Sequence, residues 1–134
     1  MVYSQEPKKH ILVVDDEEAI RRIVYAYLGT RGYSVTTAKD GANAIEICEK
    51  SCDKKNKTCC PVDLILTDFN MSPMDGYELF KRIKAKDPQA KICVMSGNPY
   101  DPKIEEMKKE SLIGVLLKPF IMDELEKFVE SALK

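Results

Sequence analysis

The chain has 134 residues, enough for one domain with a single hydrophobic core and too few for two. Hydrophobic residues make up 44% and charged residues 32% of the sequence, a composition typical of a folded globular protein rather than a disordered or fibrous one. The net charge of −1 argues against a protein that binds nucleic acid through bulk positive charge. The apolar stretches are too short to span a bilayer, so no membrane partner is expected.

Apolar residues alternate along the chain between short continuous runs and helical spacing. The run at residues 11–14, Ile-Leu-Val-Val, is typical of a strand covered on both faces. From residue 17, Ile20, Ile23 and Val24 begin a pattern that continues to residue 28 and predicts the inward face of a helix ended by Gly32. The later predicted strands are residues 33–37, 62–67, 91–95 and 113–117, and the later predicted helices are residues 41–50, 77–86, 101–110 and 123–133.

This alternation predicts an α/β fold with one doubly wound, five-stranded parallel sheet and helices on both faces. We expect a single domain over residues 1–134, with its core at about residues 9–133 and no second domain. The polar N-terminus lacks the apolar segment of a secretory signal, and five cysteines is an odd number. A cytoplasmic location with reduced thiols is therefore expected.

Polar residues follow four of the five predicted strands. Asp15 and Asp16 follow the first strand, Asp68 the third, Ser96 the fourth and Lys118 the fifth. Ligands of an open parallel sheet bind at the carboxyl ends of its strands, so we expect these side chains to meet in one pocket. Each also has a structural interpretation, as a helix cap, a turn residue or a solvated lysine, but their joint occurrence favours a site.

Three carboxylates in one pocket repel each other, and a hard divalent cation relieves that repulsion. Mg²⁺ suits the pocket because it binds one to three carboxylates and keeps water in its remaining positions. A carboxylate beside Mg²⁺ and a lysine is a competent nucleophile toward a phosphoryl group. Lys118 and the Ser96 hydroxyl would then stabilise the transferred oxygens.

These residues resemble the receiver domain of two-component response regulators, including the chemotaxis-regulator type. The resemblance extends over residues 9–133 and is carried by four segments: ILVVDDE at 11–17, DFNMSPMDG at 68–76, VMSG at 94–97 and LKPF at 117–120. It implies a (βα)5 flavodoxin-like fold with strand order 2-1-3-4-5.

The resemblance also implies residue roles. Asp68 matches the phosphoacceptor, which receives a phosphoryl group from a histidine kinase or a histidine phosphotransfer protein and also contributes to the metal site. Asp16 matches a direct Mg²⁺ ligand, Asp15 a ligand acting through water, and Asn70 a ligand through its backbone carbonyl. Ser96 matches the switch hydroxyl.

Lys118 matches the cationic partner of the phosphoryl group, and the Lys118–Pro119 peptide is expected to be cis. Two positions depart from the family pattern. Ser72 stands where a proline is usual, and Val115 stands where many members carry a tyrosine or phenylalanine that swings inward on activation. Valine has no ring that could swing inward, so we do not expect the aromatic part of the family's switch in this chain.

The predicted function is a phosphorylatable signalling domain that catalyses only its own phosphorylation and slow dephosphorylation. Asn70 and Asn98 lie where side chains would guide or block an attacking water. The family resemblance implies that an output protein binds the face formed by the fourth helix, fifth strand and fifth helix. One alternative is a Mg²⁺-dependent phosphatase acting through an aspartyl phosphate, disfavoured because such enzymes usually carry a second aspartate where Asn70 stands. Another is a non-phosphorylated interaction module, which the intact acid set disfavours.

Four cysteines fall within thirteen positions: Cys48, Cys52, Cys59 and Cys60. They are open to interpretation as a thiolate metal site or redox clip, or as packing and loop residues. The spacing lacks the paired C-x2-C motif of zinc sites, which favours the packing interpretation. Cys93, inside the fourth predicted strand, is expected to be buried and inert.

Overall fold

The computed structural model describes residues 8–50 and 62–134, and over these ranges it confirms the predicted alternation of strands and helices. The strands are β1 His10–Val14, β2 Ser34–Ala38, β3 Leu64–Asp68, β4 Ile92–Ser96 and β5 Gly114–Leu117. The helices are α1 Glu18–Thr30, α2 Gly41–Lys50, α3 Gly76–Lys86, α4 Pro102–Lys109 and α5 Met122–Leu133.

The five strands form one parallel sheet in the order β2-β1-β3-β4-β5, which confirms the expected fold class. The third strand begins two residues later than predicted, at Leu64, and includes Asp68. Ser96 is likewise the last residue of β4 and not the first residue of the following loop. The ladder extends this far because Phe69 N–H donates to the Met95 carbonyl at 2.9 Å, and Lys118 N–H donates to the Ser96 carbonyl at 2.9 Å.

The core consists of two apolar layers, one on each face of the sheet. Alternate residues of β1 separate into these layers: Ile11 and Val13 pack with α1 and α5, whereas Leu12 and Val14 pack with α2, α3 and α4. All four side chains are fully buried. Burial of such a side chain contributes about 1.5–3 kcal/mol, so the strands that end at the predicted site are firmly held.

Helix α1 departs from its predicted packing at one position. Val24 and Leu28 are buried as expected, but the side chain of Ile23 is 51% exposed, so the prediction of an inward Ile23 was wrong. The face of α1 that meets the sheet is narrower than the apolar stripe in the sequence. Ile23 lies at its edge and lines a surface groove together with Phe120 and Met122.

Gly32 follows the end of α1 and stops the helix, as predicted. Its φ of +92° lies in the left-handed region that favours glycine, and the Tyr33 N–H donates back to the Leu28 carbonyl at 3.2 Å. The predictions for Cys52, Cys59 and Cys60 lie outside the described residues. Within the described ranges, every helix is too short or too polar to cross a membrane.

Candidate functional site

The carboxyl ends of β1 and β3 bring three acidic side chains together. Asp15, Asp16 and Asp68 each offer a carboxylate oxygen, and these oxygens lie within 4.8 Å of one another. Asp15 is 0% exposed and Asp68 5% exposed, while Asp16 faces solvent. Lys118 joins the cluster from the end of β5, with Nζ 3.1 Å from Asp15 Oδ2 and 3.2 Å from Asp68 Oδ1.

Asp15 is held by hydrogen bonds to both its backbone and its side chain. Its Oδ1 accepts the Glu17 N–H at 2.9 Å, and its own N–H donates to the Ala38 carbonyl at 3.2 Å. Its backbone carbonyl accepts a hydrogen bond from the Arg21 guanidinium at 2.7 Å. With Lys118 on Oδ2, both carboxylate oxygens of Asp15 are engaged, which leaves Asp16 as the solvent-facing acid of the pair.

The electrostatics of the cluster follow from burial and from like charge. Burial raises the pKa of Asp68 above its usual value, the neighbouring Asp15 raises it further, and the Lys118 ammonium opposes both effects. For Lys118, burial lowers the pKa, but Asp15 and Asp68 outweigh burial and leave the pKa raised. The lysine is therefore charged at neutral pH, and this one ammonium faces three carboxylates.

The donor set fits a hard divalent cation. All three acidic residues present oxygen donors, and one of them faces solvent, where an ion with retained waters has room. Asn70 lies two residues beyond Asp68, exposed on the loop between β3 and α3. These are the properties of an acidic metal site of the kind that Mg²⁺ occupies.

The Ser96 hydroxyl is buried at the end of β4, the strand next to β3. Its Oγ accepts the Asn98 N–H at 3.0 Å and donates to the Asn98 carbonyl at 3.2 Å. The hydroxyl is thus committed to the loop that leads from β4 to α4. These two bonds join the start of the loop to the end of the strand.

The start of α3 packs directly on the backbone of Asp68, a contact that sequence reasoning missed. A Cβ on Gly76 would lie 2.9 Å from the Asp68 carbonyl oxygen and 2.9 Å from the Phe69 Cα. The Gly76 N–H donates to the Phe69 carbonyl at 2.8 Å, and the Asp75 side chain caps α3 by accepting the Glu78 N–H at 2.9 Å. The only signal in the sequence was the Asp-Gly pair at the predicted start of the helix.

The remaining predicted positions are also located. The Lys118–Pro119 peptide is cis, as predicted, and the Ser72–Pro73 peptide in the loop after Asp68 is cis as well. Val115 is half-buried and packs against the apolar layer shared by α2, α3 and α4. Cys48 is buried on α2, and Cys93 is fully buried in β4, as expected.

The parallel sheet in this order, with the acidic cluster and one lysine at the carboxyl ends of its strands, defines a class of signalling domain. Residues 11–130 match the family model described as the response regulator receiver domain. The chain therefore belongs to the response regulator receiver domain family, whose members act in two-component and phosphorelay signalling.

Individual relatives agree with this assignment. The chain is 30% identical over 131 residues to the two-component response regulator ARR15 of Arabidopsis thaliana, covering 95% of this chain and 64% of that protein. It is 27% identical over 125 residues to the transcriptional regulatory protein GlrR of Escherichia coli, covering 93% of this chain and 26% of that protein. The chain thus spans less than two thirds of the length of these relatives.

A similar solved structure is the chemotaxis protein CheY4 of Vibrio cholerae. It matches with a TM-score of 0.82 at 29% sequence identity, over 95% of this chain and 100% of that chain. A segment of a sensor kinase is also similar: the autoinducer 1 sensor kinase/phosphatase LuxN of Vibrio campbellii is 33% identical to this chain, over 92% of this chain and 13% of its own length.

Proposed function

We propose that Asp68 is the phosphoacceptor of this receiver domain. The observation that carries the proposal is the shared position of Lys118, within 3.2 Å of both Asp15 and Asp68, inside a cluster of three carboxylates. We further propose that Asp16 binds Mg²⁺ directly, Asp15 through water, Asp68 through its carboxylate and Asn70 through its backbone carbonyl.

In the proposed reaction, an Asp68 carboxylate oxygen attacks the phosphorus of a phosphohistidine. The new O–P bond forms as the P–N bond breaks, and the electron pair of that bond leaves with the imidazole. Asp15, Asp16 and Asp68 would hold Mg²⁺, which when bound would supply positive charge to offset the negative charge of the phosphoryl oxygens. Lys118 adds a fixed ammonium whose pKa stays raised beside its two carboxylates, so it remains charged at neutral pH.

Ser96 is the proposed switch hydroxyl. In this structure its Oγ is occupied by both backbone groups of Asn98, so a hydrogen bond to a phosphoryl oxygen requires that it stop donating to the Asn98 carbonyl. That exchange would release one tie between β4 and the loop leading to α4. With Val115 in place of an aromatic residue, this loop carries the conformational signal in our proposal.

The proposed phosphodonor is a histidine kinase or a histidine phosphotransfer protein. A surface groove of about 380 Å³ is lined by Ile20 and Ile23 of α1, by Phe120 and by Lys118, among other residues. Because the groove is mostly apolar and includes the lysine that contacts Asp68, it suits a helical partner that must bring a histidine to that carboxylate.

The proposed output surface is the face formed by α4, β5 and α5. Strand β5 is at the edge of the sheet, and two exposed large apolar side chains stand at its ends: Ile113 directly before the strand and Leu117 as its last residue. Tyr100, in the loop before α4, is also exposed. We propose that an output protein covers this face, and that the domain catalyses only its own phosphorylation and slow dephosphorylation, in the cytoplasm.

Labelling by acetyl phosphate tests the assignment of Asp68. With Mg²⁺ present, the parent protein is expected to gain one phosphoryl group, visible as a mass increase, and to take up no label when EDTA is present from the start. Asp68→Asn should take up none. Asp123→Asn is the matched control, because Asp123 is an exposed acid paired with Lys127 on α5. Equal labelling of Asp68→Asn and the parent would refute the assignment.

A further inference from the structure

Two neighbouring arginines on α1 have different surroundings. The Arg22 guanidinium lies on the surface and pairs with Glu18 Oε1 at 2.8 Å, with side chains 78% and 65% exposed. The Arg21 side chain is half-buried and turns back toward the end of β1, where it donates to the Asp15 carbonyl at 2.7 Å. Of these two arginines, Arg21 is therefore the one that hydrogen-bonds the segment carrying the acidic pair.

The contact closes a small ring of hydrogen bonds around the turn at residues 15–17. The Arg21 backbone N–H donates to the Glu17 carbonyl at 3.1 Å, and the Glu17 N–H donates to Asp15 Oδ1 at 2.9 Å. The guanidinium bond to the Asp15 carbonyl completes the ring. The turn at residues 15–17 is thus held by a backbone hydrogen bond, by the Asp15 side chain and by the Arg21 side chain from the following helix.

This ring acts on Asp16 through the peptide that joins it to Asp15. The Asp15 carbonyl and the nitrogen and Cα of Asp16 belong to one rigid peptide plane, so a bond that orients the carbonyl also orients the N–Cα bond from which the Asp16 side chain starts. Asp16 is the solvent-facing member of the cluster and is repelled by Asp15 and Asp68. Without the guanidinium, rotation of this peptide would let Asp16 turn away from the other two acids.

We propose that Arg21 is a positioning residue for the divalent-cation site: it acts through the Asp15 carbonyl to hold Asp16 facing Asp15 and Asp68. This inference rests on the proposed function, because it assumes that these carboxylates bind Mg²⁺. The positive charge of Arg21 has the opposite effect on Mg²⁺ binding, since it repels a cation. The two effects predict opposite changes for Arg21→Met, because loss of positioning weakens Mg²⁺ binding whereas loss of repulsion strengthens it.

Mg²⁺ binding to the full chain, measured by isothermal titration calorimetry at fixed ionic strength, tests the proposal. Arg21→Met is expected to raise the dissociation constant for Mg²⁺ about tenfold, as is typical when a group that orients a metal ligand is removed. Arg22→Met, the matched control, should bind as the parent does. Arg21→Lys keeps the charge but loses the planar fork, and should fall between the parent and Arg21→Met.

A second measurement separates positioning from a general loss of structure. Labelling by acetyl phosphate should need more Mg²⁺ in Arg21→Met but reach the parental rate at saturating Mg²⁺, whereas a damaged fold would lower that rate at every concentration. If Arg21→Met does not fold, the comparison of Arg21→Lys with the parent decides. Binding by Arg21→Met as tight as that of the parent, or tighter, would overturn the proposal. Failure of the parent to bind Mg²⁺ would overturn the proposed metal site itself.

Discussion

The ammonium of Lys118 lies 3.2 Å from Asp68 Oδ1, although β3 and β5 are separated by β4 in the sheet. The same ammonium lies 3.1 Å from Asp15 Oδ2. One lysine therefore serves two buried carboxylates, and the exposed Asp16 adds a third negative charge nearby. The carboxylates outnumber the ammonium, and this surplus negative charge makes the stability of the site sensitive to substitution, pH and divalent cations.

We expect Asp68→Asn to stabilise the metal-free protein at neutral pH. Burial first, and then repulsion by Asp15, raise the pKa of Asp68, which means that the ionised carboxylate disfavours the folded state. An amide of similar shape removes that cost. Thermal unfolding in EDTA at pH 7 should therefore show a higher midpoint for the variant than for the parent.

The pH dependence of this difference follows from the direction of the pKa shift. The folded protein holds the Asp68 proton more tightly than the unfolded chain, so the cost of ionisation develops as the pH rises above about 3.9, the unfolded value. It is complete once the pH exceeds the raised folded pKa. Melting curves from pH 7 downward should bring the two proteins together, and a gap that widens toward acid would contradict the assignment.

Removal of the Lys118 ammonium, which Asp15 and Asp68 share, should destabilise the folded protein. Lys118→Met leaves Asp15 and Asp68 facing each other without a counter-charge, and we expect a loss of about 3 kcal/mol in the free energy of unfolding. This lies at the low end for breaking a buried pair because the Lys118 side chain is 24% exposed. Urea titration in EDTA measures the loss, and added Mg²⁺ should restore part of it.

Lys103→Met is the control for that prediction. Lys103 pairs with Asp75 at 3.1 Å, but its side chain is mostly exposed, so the loss should stay below about 1 kcal/mol. If the two lysine variants lose equal stability, Lys118 does not carry the electrostatic balance of the site.

Gly76→Ala should disturb the site through the backbone. Its Cβ would lie 2.9 Å from both the Asp68 carbonyl oxygen and the Phe69 Cα, and neither atom can move without shifting the end of β3. We expect a loss of about 1–3 kcal/mol, the usual range for overpacking, together with weaker labelling by acetyl phosphate. Gly29→Ala on α1 meets no heavy atom within 4 Å and should instead gain up to about 1 kcal/mol. Equal stability of the two variants would count against the close contact at Gly76.

The thiol of Cys93 should be unreactive in the folded protein. It is fully buried in β4, and burial raises its pKa to about 12. At pH 8 the thiolate fraction is then on the order of a thousandfold below that of an unperturbed thiol, before steric protection is counted. Iodoacetamide treatment followed by peptide mass spectrometry should leave Cys93 unmodified until urea unfolds the chain. Rapid alkylation under native conditions would contradict its burial.

The alternation of strands and helices was predictable because each element has its own apolar pattern. The buried run at residues 11–14 and the helix containing Val24 and Leu28 needed no tertiary information. The prediction failed for Ile23. Periodicity shows which residues share a helix face, but it does not show how much of that face the neighbouring sheet covers. It also ended β3 and β4 one residue early, because ladder hydrogen bonds from the neighbouring strands extend them to Asp68 and Ser96.

By itself the sequence determined which residue types stand at the ends of the strands, and hence that acids and one amine would gather at the carboxyl edge of a parallel sheet. Only the tertiary structure decided how they contact: Lys118 between Asp15 and Asp68, Gly76 against the Asp68 carbonyl, and Arg21 on the Asp15 carbonyl. The physical reason is that hydrophobic periodicity is a local property of the chain. Contacts within about 3 Å depend on the register of several strands and the packing of helices between them.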